Sequence, residues 1–123
     1  MPTFGYHDVY ETSFSAALKA AAQQGFQYVQ FDLNVPGLFI DEFPPRKLRE
    51  IRSMASDLAV SVSLHAPGDN VGLFVDYPAV REGVLRHFRR LLDQANELGA
   101  HHMTVHPFRP PSFLRADTMR DRC

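Results

Sequence analysis

A chain of 123 residues, 45% of them hydrophobic, can bury one core and fill one ordinary domain, while thirteen basic and fourteen acidic side chains leave a formal charge of -1. That balance gives no global field favouring nucleic acid, a membrane or a strongly charged substrate, so local sites must carry the function. The single cysteine, Cys123, excludes an internal disulfide and a CxxC metal knuckle, and no stretch approaches the ~18 apolar residues of a membrane span or the pattern of a signal peptide; the expectation is a soluble, cytoplasmic protein.

Residues 4–7 form a short strand candidate, followed by a loop and a helix over 13–24 with Phe14, Ala17, Leu18, Ala21 and Ala22 on one stripe. Ser13 can cap its start, and Gly25 supplies the permissive position after its end. A second strand over 28–33 alternates Val29, Phe31 and Leu33 with Tyr28, Gln30 and Asp32. A long loop over 34–43 leads to Pro44-Pro45, which opens a helix running to about residue 58, with Leu48, Ile51, Ala55 and Leu58 at helical spacing.

The third strand, 60–65, places Val60, Val62 and Leu64 on one face and Ser61, Ser63 and His65 on the other, and Pro67 marks where it becomes a loop. After the loop 68–77, a helix spans 78–98: Val80, Val84, Phe88, Leu91, Ala95 and Leu98 form its stripe, widened by Leu85 and Leu92, and Gly99 ends it. The fourth strand, 102–106, sets Met103 and Val105 against His102, Thr104 and His106, and Pro107 stops it. A proline-rich tail, 107–123, completes a single domain.

Regular β-α-β-α-β-α-β alternation calls for parallel strands in the order 1-2-3-4, joined by right-handed crossovers. Strands covered by helices on both faces usually read as continuous apolar runs, whereas these have one apolar and one polar face. The polar faces would therefore line a lumen, as in a (β/α)8 barrel. A full barrel needs about 250 residues, so four strands supply roughly half of one.

Two histidines stand out, each at the carboxyl end of a strand, where α/β folds put their ligands: His65 before Ala66-Pro67, and His106 before Pro107. Shared inward parity on adjacent strands should bring their ring nitrogens within about 10 Å. Neutral imidazole binds divalent metals, hydrogen-bonds sugar hydroxyls or moves protons. Asp32 ends the second strand and can meet a hydroxyl, stand behind a histidine or cap the loop. His7-Asp8 ends the first strand. His101 starts the fourth strand, the face that serves stability, His87 lies on a charged helix and reads as solvated, and Arg109, Arg115, Arg120 and Arg122 read as a basic tail.

Taken together, Gly25-Phe26-Gln27-Tyr28-Val29-Gln30-Phe31, Leu64-His65-Ala66-Pro67 with Asn70 and Leu73, and Glu97-Leu98-Gly99-Ala100 leading into Val105-His106-Pro107 resemble the N-terminal half of the xylose isomerase-like TIM-barrel superfamily. That superfamily holds sugar isomerases and epimerases and apurinic endonucleases of the endonuclease-four type. Gln30 and Phe108 depart from its pattern, in which glutamate and glycine are common at those places.

The resemblance implies a sugar or sugar-phosphate isomerase or epimerase with His65 and His106 in the substrate pocket; Asp32 and His7, at the ends of the second and first strands, are the further candidates for that pocket. It also implies a divalent metal (Mn, Zn, Mg or Co) to which His65 and His106 would contribute; in the isomerase branch the principal metal ligands come from strands five to eight. The alternatives are an apurinic endonuclease, in which the same histidines hold zinc, and a non-catalytic half-barrel assembly module. Four strands alone are expected to be a poor enzyme and to self-associate through open sheet edges.

Overall fold

The computed structural model describes residues 3–8, 13–67 and 77–106. Its elements run β1 (Gly5–Asp8), α1 (Phe14–Gln24), β2 (Tyr28–Asp32), a 3-10 turn (Ile40–Glu42), α2 (Pro45–Asp57), β3 (Ser61–His65), α3 (Pro78–Leu98) and β4 (Met103–Thr104). The strands form one parallel sheet in the order β1-β2-β3-β4, the α/β arrangement expected from the alternation.

Local signals set most boundaries. Ser13 Oγ accepts a hydrogen bond from the amide of Ala16, satisfying a donor that the first turn of α1 leaves unpaired. Gly25 (φ 78°) and Gly99 (φ 75°) end α1 and α3 in the left-handed region. Ala59, after α2, adopts the same region with φ 53°, which costs a side-chain-bearing residue more than glycine.

Among the described residues, α1, α2 and α3 all pack on one face of the sheet. Val29, Phe31, Leu33, Val60, Val62 and Leu64 meet Phe14, Ala17, Leu18 and Ala21 of α1, Leu48, Ile51 and Ala55 of α2, and Leu91, Ala95 and Leu98 of α3 in a single core. Leu38 and Ile40, in the stretch expected to be plain loop, are fully buried and tie the 3-10 turn into that core.

Two expectations change, and the face taken by Asp8 is decided. The stripe on α3 is narrower, because the helix turns only Phe88, Leu91, Ala95 and Leu98 into the core, and Val80, Leu85 and Leu92 are exposed. β4 is shorter than residues 102–106: as an outer strand its ladder is one-sided, and Val105 is exposed rather than packed. Asp8 pairs level with Phe31, so it lies on the helix-covered face and is fully buried there. The tail 107–123, with Pro107 and Phe108, and Asn70 and Leu73 of the resemblance lie outside the described residues.

This packing predicts a sharp contrast between two leucines. Leu64→Ala, at a fully buried position, should cost about 2–5 kcal/mol in a urea unfolding titration; Leu92→Ala, on the exposed side of α3, should change stability by less than ~0.5 kcal/mol.

Candidate functional site

The polar face begins with small and uncharged groups. Ser63, level with Gln30 in the β2/β3 register, is almost completely buried although no helix among the described residues covers that face, and its hydroxyl donates to the Val29 carbonyl. Above it, Gln30 Nε2 donates to Thr104 Oγ1 at 3.0 Å, reaching across β3 from β2 to β4. Backbones two strands apart stand roughly 9.6 Å from each other in a flat sheet, so this bond reports a sheet curled toward its polar face. That is the curvature a barrel lumen requires.

At the carboxyl ends of the strands the curl gathers four chemically active side chains. The β2/β3 register sets Asp32 level with His65. His65 Nε2 lies 2.8 Å from His106 Nε2, well inside the expected 10 Å, although His106 comes two residues after the end of β4. His65 Nδ1 faces Asp32 Oδ1 at 3.7 Å, and His7, level with Gln30 on β1, brings its Nε2 to 4.0 Å from the other carboxylate oxygen. The His7 and His65 rings are 5.8 Å apart. His65, His106, Asp32 and His7 therefore form one cluster, while Asp8 faces the helices.

Elementary electrostatics orders the protons in this cluster. A neutral imidazole carries one N–H and one lone pair. With a carboxylate oxygen 3.7 Å from Nδ1 of His65, an N–H there is attracted and a lone pair repelled, which favours the tautomer with its proton on Nδ1 and Nε2 as acceptor. The 2.8 Å contact is then a hydrogen bond donated by His106 Nε2–H. Side by side, the two histidines present one acceptor and one donor.

Such a pair does not by itself fit a metal ion. Two nitrogens at 2.0–2.1 Å from a tetrahedral zinc lie about 3.3 Å apart, and both must offer lone pairs. Among the described residues, moreover, no group of three or more His, Cys, Asp or Glu side chains could hold a metal ion.

Asn34 is the member of the site that its sequence position did not single out. Its backbone amide and its Nδ2 both donate to Asp32 Oδ1, at 2.8 and 2.7 Å. The Asp-Leu-Asn spacing of an Asx turn is the local signal that would have found it. His101 and His102 are exposed at the opposite end of β4. His87, expected in solvent, is half-buried and lines a cavity of about 260 Å³ with Leu33, Asn34, Ile40 and Leu91. Among the described residues no helix is long and apolar enough to cross a membrane.

The curled parallel sheet, its helices on one face and its polar groups gathered at the strand ends define an (α/β) barrel-type architecture. The chain belongs to the xylose isomerase-like TIM barrel family, whose model matches residues 18–123. No curated protein is similar enough to match.

Solved structures show the same fold. A D-psicose 3-epimerase in the presence of D-fructose superposes with a TM-score of 0.78 at 19% identity, over 98% of this chain and 44% of that one. D-Psicose 3-epimerase with D-tagatose from Clostridium cellulolyticum H10 gives 0.79 at 13% identity over the same shares. The apo form of 3-keto-D-glucoside 4-epimerase from E. coli gives 0.65 at 14%, over 94% of this chain and 44% of that one. The chain thus spans less than half the length of these epimerases.

His106 is exposed, and the side-chain hydrogen bond of His65 goes to it rather than into the core. His65→Ala and His106→Ala should each shift unfolding free energy by less than ~1 kcal/mol in urea; a much larger loss would mark the pair as a structural element.

Proposed function

We propose that the chain carries the sugar-binding part of a sugar or sugar-phosphate isomerase or epimerase of this family. The observation that carries this reading is the contact between His65 and His106 with Asp32 behind it. A hydroxyl group donates one hydrogen bond and accepts others, so it can replace the contact between the rings: its O–H points to His65 Nε2, and its oxygen accepts from His106 Nε2–H. Phosphate oxygens mainly accept and would need two donors at the same place. The site therefore suits a polyol better than a phosphodiester, in line with the balanced charge.

Within such a site His65 can also accept a proton. If the bound hydroxyl gives its proton to Nε2, the imidazolium that forms keeps Nδ1–H toward the Asp32 carboxylate, which stabilises it. Asp32 remains an orienting group, because Asn34 already occupies one of its oxygens. His7 stands on the far side of the same carboxylate.

Side-chain NMR of the histidines during titration with ketohexoses checks this reading. D-Fructose, D-psicose or D-tagatose should shift the His65 and His106 signals at millimolar concentration, and His106→Ala should abolish the response. Stronger binding of abasic DNA than of any sugar would overturn the proposal in favour of a phosphodiesterase, and no response to either would favour an assembly module.

The isolated chain is a poor catalyst in this reading, because His106 is exposed and water competes for every hydrogen bond in the open site. It also self-associates. Among the described residues β1 and β4 are the outer strands of the sheet, and each has an exposed large hydrophobic beside it, Phe4 and Val105. Sedimentation velocity should show mass rising with concentration, and sugar isomerisation should run far below ~1 per second; a stable monomer with ordinary turnover would contradict both.

A further inference from the structure

Two imidazoles compete for one carboxylate. Asp32 lies between His65, 3.7 Å from Oδ1, and His7, 4.0 Å from Oδ2. Neither approach is a hydrogen bond, so neither ring holds the carboxylate in place. The groups that do are the two donors of Asn34, both on Oδ1.

The segment bearing Asn34 is itself anchored. Leu33 is buried and its amide donates to the His65 carbonyl; the Val35 amide donates to the Asp32 carbonyl and the Leu38 amide to the Val35 carbonyl, with Leu38 and Ile40 in the core. The Asn34 amide group is thus a fixed point from which the carboxylate is aimed.

We propose that Asn34 is a positioning residue: by pinning Asp32 Oδ1 against Nδ1 of His65 it sets the tautomer of His65, and so decides which of the two facing imidazoles accepts and which donates. Without the side-chain amide, Asp32 keeps one backbone donor and is free to turn toward His7. The buried Nδ1 of His65 then loses its negative neighbour, and the ring relaxes toward the Nε2–H form that free imidazole side chains prefer. An Nε2–H on His65 would then oppose the Nε2–H of His106 at 2.8 Å, so the exposed His106 would have to move its proton to Nδ1, and the donor–acceptor order of the pair would no longer be set before a hydroxyl binds. The use of this pair in binding rests on the proposed sugar site, whereas the tautomer is a property of the free chain.

Long-range proton–nitrogen NMR of the histidine rings, recorded on the ligand-free chain at pH 8, where imidazoles are ordinarily neutral, reads the tautomers directly. The native chain should show His65 protonated at Nδ1 and His106 at Nε2. In Asn34→Ala the His65 Nδ1 and Nε2 signals should move toward each other as the Nε2–H form gains population, and Asn34→Ser, which restores a donor, should reverse part of that shift. Ketohexose affinity should fall about three- to tenfold in Asn34→Ala. An unchanged His65 tautomer in a folded Asn34→Ala chain overturns the proposal. So does a native His65 protonated at Nε2, a result that stands even if the variant fails to fold. A tautomer that responds as expected in a chain that binds no sugar leaves the role of Asn34 intact and removes the sugar reading instead.

Discussion

The parallel register between β2 and β3 sets Phe31 level with Leu64 and Asp32 level with His65. Because side chains alternate with a period of two, this one pairing decides both layers of the molecule. Phe31 and Leu64 enter the core beneath the helices, and Asp32 and His65 are delivered together to the opposite face. A slip of β3 by one residue would drive His65 and Ser63 into the apolar layer beneath the helices and turn Val62 and Leu64 outward. Both changes are costly, so burying the core and assembling the site are a single event.

Curvature extends the consequences of that register. Ser63 is small enough to lie beneath the bond from Gln30 to Thr104, which links β2 to β4 over the top of β3. A larger residue at that position would hold β2 and β4 apart and flatten the sheet. Bending inward brings His106, beyond the last strand pair, onto His65 with ring centres 4.8 Å apart. The same bend leaves His7 and Asp32 on one wall, so that protons in the cluster are ordered by a carboxylate held at a distance rather than by direct hydrogen bonding. An ordering of that kind is sensitive to whatever aims the carboxylate, which gives the Asx turn at Asn34 its importance.

The parts of this architecture that depend on neighbours in the chain were legible in the residues themselves. Helix ends at Ser13, Gly25 and Gly99, alternation along 60–65 and the prolines after the histidines all express preferences acting over a few residues, and they placed Asp32, His65 and His106 on a common face. Other features depend on what lies across the fold, where periodicity carries no information. The side of the sheet that Asp8 occupies, the exposure of Leu85 and Leu92, and the early end of β4 each follow from which partner element is present. The sequence by itself thus determined the order of the elements, the two-faced strands and the histidines at their ends, since these rest on local sterics and side-chain period. Only the tertiary structure decided that His65 and His106 touch and that Asp32 lies between His65 and His7, because these are distances between strands set by curl and register.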